Sequence, residues 1–254
     1  MQDTNPYLSV IIPAYNEGGR KGEELKNNLR EIGEYLGGKD ISYEVVVVND
    51  GSKDNTAEFV RGLAHLVAKL EVIDRQENRG KFFSVREGFM AAKGEYRLLT
   101  DADGATSITN LENFLDRMEK GGDVLIGSRD LKESNIKKHQ PKWKELMGDA
   151  GNLLIQFMLG LRGLEDTQCG FKVMSARAVS DIVPQMQVDR WGGDFEMLML
   201  AKKMGYEIIE IPVIWLDAGQ TLVGASGMGG YVSTLKELLQ VKWRMITGQY
   251  KYKK

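Results

Sequence analysis

The 254 residues predict a doubly wound α/β fold, with a mainly parallel sheet and helices on both faces. Three observations carry this. Short β-branched apolar runs recur through the first half, and they are continuous rather than alternating, as strands buried on both faces read. Segments of helical periodicity separate them, long enough to be crossovers between parallel strands. Polar residues and glycines gather where the apolar runs end, which is where such sheets bind ligands.

The elements follow in order. "LSVIIP" (8–13) reads as the first strand. A helix follows, with Leu25, Leu29, Ile32 and Leu36 on one face. "YEVVVVND" (43–50) is a second buried strand, and "DNTAEFVRGLAHLVAKL" a helix with Asp54 or Asn55 at its N-cap. "EVIDR" (71–75) is the third strand, and "GKFFSVREGFMAAKG" (80–94) a helix closed by Gly94. "YRLLT" (96–100) is the fourth strand, "ITNLENFLDRMEKGG" a helix, and "DVLIGS" (123–128) the fifth strand. Residues 142–161 have a wide apolar face that fits either an ordinary core helix or an interfacial one. A short helix near 176–183, the loop and helix of "RWGGDFEMLMLAKKMG" and a last strand "YEIIEIPVIW" come next. The C-terminal part reads as a helix with a basic tail. No internal repeat, low-complexity segment or linker interrupts the chain, which reads as one domain.

Composition narrows the function. A single cysteine, Cys169, excludes an intrachain disulfide framework and suits a reducing compartment. Two histidines, His65 and His139, argue against a histidine zinc site or a Ser-His-Asp triad. No apolar run approaches the roughly 20 residues that span a bilayer, and no signal peptide is evident. Net charge is −2 but uneven: residues 129–144 and 236–254 are together strongly basic, and the remainder is acidic. Such a distribution suggests one anionic partner at one place rather than general nucleic-acid binding. The dinucleotide fingerprint G-x-G-x-x-G does not follow the first strand, and no P-loop occurs.

The strongest chemical signal is "LLTDADGAT". Asp101 and Asp103 stand where an apolar strand ends, and Gly104 supplies the turn that lets both carboxylates converge. Two close carboxylates repel unless something positive lies between them. A hard divalent cation carrying phosphate ligands satisfies this. The plain alternative is an acidic solvated turn.

Taken together, "SVIIPAYNE", "VVVVNDGSKDNT", "ENRGK", "DADGAT", "IGSR", "DTQCGFK" and "RWGGDFEMLMLA" resemble the inverting glycosyltransferases of family 2, which have the GT-A fold. The strings occur in that family's order over residues 9–201. Within it they most resemble the polyprenyl-phosphate sugar transferases, those that glucosylate dolichyl phosphate first and the mannosyl enzymes second.

The resemblance implies a set of roles. Pro13, Tyr15, Glu17 and Asp50 contact the nucleobase and ribose, and Ala102 lies in the same nucleotide-sugar site. Lys81 lies near the phosphates. Asp101 and Asp103 form the D-x-D motif that holds Mg²⁺ or Mn²⁺ on the diphosphate, with Asp103 the principal ligand. Arg129 meets the acceptor phosphate, which its planar fork suits, and Lys172 assists. Asp194 or Glu196 is a general base in relatives that glycosylate a hydroxyl, but a phosphate acceptor is already anionic near pH 7. Both acids also fit a structural place at the start of a helix.

The implied organisation is a nucleotide-sugar half (8–128), an acceptor half (129–230) and a C-terminal basic amphipathic segment (231–254). The implied reaction moves a hexose, glucose from UDP-glucose foremost, to polyprenyl or dolichyl phosphate. Family members of this kind usually carry a transmembrane anchor, and this sequence shows none. Val232, Leu235, Leu238, Leu239, Trp243 and Ile246 share one side of the last helix beside Lys236, Lys242 and Arg244. That pattern suits peripheral binding to an anionic, cytoplasmic membrane face, or a helix packed on the domain with a solvated basic edge. A soluble glycan or small hydroxyl acceptor is the competing expectation. A binding module without turnover is disfavoured by the intact aspartate pair. A sugar nucleotidyltransferase is disfavoured because no Gly-rich, Arg- and Lys-bearing loop follows the first strand.

Overall fold

The computed structural model describes residues 5–19, 22–136, 142–216 and 228–252, with backbone alone at 135–136, 142–147 and 228. His139 and part of the first basic stretch lie outside the described residues. The strands are β1 (Leu8–Ala14), β2 (Tyr43–Asn49), β3 (Leu70–Asp74), β4 (Tyr96–Leu99), β5 (Val124–Ser128), β6 (Asn135–Ile136), β7 (Lys172–Ser175), β8 (Ile208–Pro212) and β9 (Ile214–Trp215). The α-helices are α1 (Gly22–Gly37), α2 (Thr56–Gly62), α3 (Lys81–Ala91), α4 (Glu112–Glu119), α5 (Lys142–Leu159), α6 (Ala176–Ile182), α7 (Gly193–Lys203) and α8 (Met228–Ile246).

Seven strands form one sheet in the order β3-β2-β1-β4-β7-β5-β8. All neighbouring pairs are parallel except those of β7, which runs antiparallel to both β4 and β5. Continuous apolar strands are explained by burial on both faces. Val10, Ile12, Val45 and Val47 pack with α1, while Ile11, Val46 and Val48 pack with Phe82, Val85 and Phe89 of α3. Each fully buried phenylalanine contributes about 1.5–3 kcal/mol, and Phe82, Phe89, Phe114, Phe171 and Phe195 are all in this class. Pro13 is tolerated inside β1 because pairing with β4 has already ended at Ile11 and Leu99.

The strand order reverses between β1 and β4, and the crevice of such a sheet opens there, beyond the carboxyl ends. The antiparallel β7 matters for the same reason. Its first residue, Lys172, is level with Leu99 and Ile126, so the preceding "DTQCGF" segment is delivered to the ligand-binding rim.

Several expectations are corrected. The helix after β2 is short: α2 stops at Gly62 and a 3₁₀ turn, Ala64–Leu66, follows. Asn55 is its N-cap position but makes no side-chain cap; Asp54 accepts from Thr56 N instead (3.1 Å). Gly94 does not close α3, which ends at Ala91 before an extended Ala92, and its N–H donates to Ser9 Oγ (2.7 Å). The stretch after Asp103 divides into a 3₁₀ turn, Ile108–Leu111, and α4. The last strand divides too, because β8 stays in the main sheet while β9 pairs with β6 in a second, two-stranded one. Strand β7 has no counterpart in the sequence expectation.

Helices α5 and α8 bury only part of their apolar surface. Ile155 and Leu159 of α5 and Leu238 and Val241 of α8 are in the core. Leu153, Leu154 and Phe157 of α5, and Val232, Leu235, Leu239, Trp243 and Ile246 of α8, are exposed. Leu238 therefore leaves the shared outer stripe expected of it. Two of the expected basic neighbours are also turned to other work: Lys242 Nζ donates to Met158 O at the end of α5 (2.6 Å), and Arg244 interacts with Tyr250. Among the described residues no helix is long and apolar enough to cross a membrane.

Candidate active site

Four loops at the carboxyl ends of β1, β2, β3 and β4 build the first part of the rim. The β1 and β2 loops are laced together: Asn16 N donates to Ser52 Oγ, Lys53 N to Asn16 Oδ1, and Glu17 N to Thr56 Oγ1, each at 2.9 Å. Asn16 has φ +54°, the one described non-glycine residue in the left-handed region. This fixes "AYNE" across the open end of β1, with Pro13, Tyr15 and Glu17 partly exposed beside it.

Asp50 has a different place from the one expected. It is buried and accepts four hydrogen bonds from the loop after β3: Arg75 Nη1 (3.0 Å), Arg79 N (3.0 Å), Asn78 Nδ2 (2.9 Å) and Gly80 N (2.8 Å). A carboxylate offers about four acceptor positions, so none is left for a nucleobase. Asp50 shapes the loop that leads to Lys81. Phe83, on the next turn, is faced by the guanidinium groups of Arg75 (4.1 Å) and Arg79 (3.6 Å).

The turn after β4 carries the D-x-D pair. Gly104 (φ +65°) makes the reversal, as expected, and Asp103 Oδ1 accepts from Ala105 N (3.0 Å). Asn28, a polar residue on the buried face of α1, holds the turn by donating to Asp101 O (2.9 Å). It was legible as an asparagine at a core position between Leu25 and Leu29, but no motif marks it. Ala102 packs its methyl into the core, so only its backbone can serve a ligand. At Gly170 a Cβ would lie 2.1 Å from Asp101 Oδ2, so this glycine makes room for the carboxylate.

Lys81 Nζ lies 2.6 Å from Asp101 Oδ1 and 5.6 Å from the ring centre of Trp191. Burial acts to lower the lysine pKa, but Asp101, Asp194 and Asp103 outweigh it and hold the group above its ordinary value. Burial likewise acts to raise Asp101, but Lys81, Lys172 and Arg129 bring it below the usual carboxylate range. Asp103 moves the other way: desolvation in the cleft and then the charge of Asp101 push it up. The two aspartates are thus close enough to repel, and Lys81 neutralises one of them. That donor set fits a hard divalent cation. No group of three or more His, Cys, Asp or Glu that could hold a metal occurs among the described residues. A cation held by the two aspartates would need phosphate oxygens and water for its remaining ligands, which is the usual arrangement for Mg²⁺.

Lys172 does not face an acceptor. Its side chain is 1% exposed, and its ammonium donates to Cys169 O and to Asp194 Oδ1. Asp194 is in the first turn of α7, as expected, but Gly192 is the N-cap residue. Burial raises the Asp194 carboxyl, against the pull of Lys172 and Lys81. Glu196 is fully buried and accepts from Gln187 N (3.0 Å), Val188 N (2.9 Å) and Tyr250 Oη (2.6 Å). It clamps the 187–188 backbone to the C-terminal segment and is not placed to act as a base.

Arg129 follows β5. Its Nε and Nη2 donate to the two oxygens of buried Asp166 (2.7 and 3.0 Å), and its guanidinium lies 5.6 Å from the Trp215 ring centre. The side chain remains 30% exposed. Asp166 also accepts from Arg129 N, Gln168 N and Cys169 N. The motif "DTQCGFK" therefore contributes chiefly through its aspartate, which was not singled out, rather than through its lysine.

A parallel-sheet crevice with a paired D-x-D carboxylate set on one side and an aspartate-held arginine on the other defines a sugar-nucleotide-dependent transferase. Comparison with known proteins agrees. The Glycosyl transferase family 2 model matches residues 9–182, and the chain belongs to that family. The dolichyl-phosphate beta-glucosyltransferase of Dictyostelium discoideum is 31% identical, over 98% of this chain and 78% of the relative. The protein of that name from Homo sapiens is 32% identical over 96% of this chain and 77% of its own. Among solved structures, glucosyl-3-phosphoglycerate synthase from Mycobacterium tuberculosis superimposes with TM-score 0.65 at 15% identity, covering 94% of this chain and 80% of that one. Mannosyl-3-phosphoglycerate synthase from Rubrobacter xylanophilus gives 0.69 at 16% identity, covering 96% and 75%. These two establish the fold as GT-A.

Proposed function

We propose that this chain transfers glucose from UDP-glucose to dolichyl or another polyprenyl phosphate, with inversion, at an anionic membrane surface. The observation that carries the reading is the rim itself. Asp101, Asp103 and Lys81 stand where β4 and β3 deliver them, and Arg129 is near enough for its charge to lower the Asp101 pKa. The relatives' names supply the glucose and the lipid phosphate.

The chain's own residues supply the chemistry. The D-x-D aspartates hold Mg²⁺ or Mn²⁺, which when bound neutralises charge on the leaving diphosphate. A neighbour of the same fold was solved with Mn²⁺, UDP and its glucosylated product. Lys81 adds a second positive charge beside the pair. Arg129 binds the acceptor phosphate through the edge that Asp166 leaves unused. A phosphate oxygen donates its electron pair to the anomeric carbon as the bond to the diphosphate breaks, and that bond's electrons leave on UDP. No general base is required, because a phosphomonoester has its second pKa near 6. This agrees with the enclosure of Asp194 and Glu196, which weighs against a hydroxyl acceptor. The exposed apolar rows of α5 and α8 are the surface we assign to the membrane.

The test is transfer itself. Purified protein, labelled UDP-glucose, dolichyl phosphate in detergent and Mn²⁺ are expected to give a labelled lipid that mild acid hydrolyses to glucose. Transfer to phosphoglycerate or a glycan, with none to the lipid phosphate, overturns the acceptor assignment.

A further inference from the structure

Trp215 is in none of the motifs that carry the family resemblance, yet several contacts fix it at the centre of the acceptor side. Its ring stands 5.6 Å from the Arg129 guanidinium. Its backbone forms an antiparallel bridge with Thr106, three residues beyond Asp103, and pairs in β9 with Ile136. Leu216 N donates to Ala105 O (2.8 Å), and Ile214 exchanges hydrogen bonds with Asn110: its N–H donates to Asn110 Oδ1 (2.7 Å) and its carbonyl accepts from Asn110 Nδ2 (3.1 Å). The 214–216 segment is thereby pinned from both ends between the D-x-D turn and Arg129. Its side chains are all apolar. Ile214 and Leu216 are 46% and 44% exposed, and Trp215 is partly so.

Arg129 has five N–H donors. Asp166 takes two of them with the side-chain bonds described above, and Asp166 also cancels much of the charge. A phosphate on the remaining edge is held by directional hydrogen bonds more than by net charge. Such a site binds inorganic and lipid phosphates alike unless something reads the alkyl group. The partly exposed indole of Trp215, beside the guanidinium, is in the place to do so.

We propose that Trp215 is a specificity-determining residue of the acceptor site: its indole covers the first isoprenyl unit of a polyprenyl phosphate whose phosphate is bound by Arg129. This rests on the acceptor reading above and deepens it. An indole suits the task because it offers a wide, rigid apolar face while its other contacts steady the guanidinium.

The experiment compares two acceptors that share the phosphate. Citronellyl phosphate carries isoprenyl units; methyl phosphate carries none. Wild type, Trp215→Ala and Trp215→Phe are assayed with UDP-glucose, and donor affinity is measured by titration as a check of folding. Wild type is expected to prefer citronellyl phosphate in kcat/KM. Trp215→Ala is expected to lose about tenfold or more of that preference through a raised acceptor KM, as loss of one buried apolar contact implies. Its donor affinity stays near wild type, and its loss on methyl phosphate is much smaller than its loss on citronellyl phosphate. Trp215→Phe recovers most of the preference. An alanine variant that keeps the full preference, or that loses both acceptors in equal proportion, overturns the isoprenyl contact and leaves the acceptor reading standing. Wild type that transfers to neither phosphate overturns the acceptor reading, and this inference with it.

Discussion

Asp50 Oδ2 accepts the backbone N–H of Gly80 at 2.8 Å, one residue before Lys81. With the bonds from Arg75, Asn78 and Arg79, this makes Asp50 the post around which the β3 loop is wound. The β2 strand thus controls where the β3 loop sets its lysine, and a residue read as a base contact is a scaffold.

The first prediction follows from that saturation. Asp50→Ala strands a charged donor and three neutral ones in a buried place, and is expected to cost about 3 kcal/mol of stability. Donor KM rises and kcat falls together, because Lys81 loses its position. Asp50→Asn, which keeps part of the acceptor set, is intermediate in both. Urea denaturation and donor kinetics on the same preparations check this. A residue that only touched the base would raise donor KM at unchanged stability.

The metal pair is tested apart from the fold. Asp103 is exposed and, among the described residues, its side chain accepts a hydrogen bond from Ala105 N alone, so Asp103→Ala is expected to keep the wild-type melting temperature. Loss of the cation's charge stabilisation lowers transfer by about a thousandfold. Excess EDTA gives the same loss in wild type. Because Asp103 is pushed above its usual pKa, protons compete with the cation, so metal affinity falls as pH falls through that raised value. Metal titrations at several pH values read this directly.

Asp130 gives a second pH signal. Asp130 lies at the surface, but partial desolvation, then the charge of Asp166, push its carboxyl up to about 6 despite Arg129 beside it. A carboxyl whose folded pKa is raised is stabilised in its protonated form. Its favourable contribution is present at pH 4 and lost by pH 7. Above pH 6 the ionised group also repels an acceptor phosphate on Arg129. Asp130→Asn is therefore expected to stabilise the protein at pH 7 but not at pH 4, and to lower acceptor KM several-fold at pH 7.5. An acceptor KM unchanged at pH 7.5 removes Asp130 from the acceptor side.

Lys172 and Asp194 form a buried pair. Removing either partner alone leaves an uncompensated charge and is expected to cost about 3–5 kcal/mol. Lys172→Met with Asp194→Leu together should cost much less than the sum. A double-mutant cycle by thermal and urea unfolding measures the coupling; simple additivity contradicts the pairing.

The parallel half of the fold was legible because its strands are buried on both faces, and their side chains report this without reference to anything distant. Strand β7 was not. It has four residues, and only insertion between β4 and β5 makes it a strand. The same distinction runs through the site. Asp101, Asp103 and Gly104 declare themselves locally, as a turn at a strand end. Lys172 looked like a cation for a phosphate because its partner lies 22 residues away in sequence. Asp50 looked free because its four donors belong to the next βα loop. Glu196 looked like a base until Tyr250, 54 residues on, closed over it. Charge states its sign in the sequence, but its partner is set by packing.

The last prediction concerns the membrane. Leu153, Leu154 and Phe157 on α5 and Leu239, Trp243 and Ile246 on α8 leave large apolar side chains in water. Lys242 Nζ ties the two helices together by donating to Met158 O, and Ile155, Leu159, Leu238 and Val241 share one core beneath them. A patch of this kind marks an interaction surface, and the amphipathic α8 is of the type that lies in a lipid interface. Trp243 is 59% exposed and Phe157 66%, so replacing each by Glu should leave the melting temperature nearly unchanged. Each replacement removes apolar contact and adds repulsion from anionic lipid, so binding to vesicles containing phosphatidylserine should fall by about tenfold or more. Salt should weaken wild-type binding only in part, because apolar burial is not screened as charge is. Co-sedimentation across a salt series separates these contributions. Transfer to a water-soluble acceptor should survive both substitutions, while transfer to dolichyl phosphate in vesicles should fall with binding. Wild-type protein that stays in the supernatant with anionic vesicles at low salt would remove the membrane from the assignment of this surface.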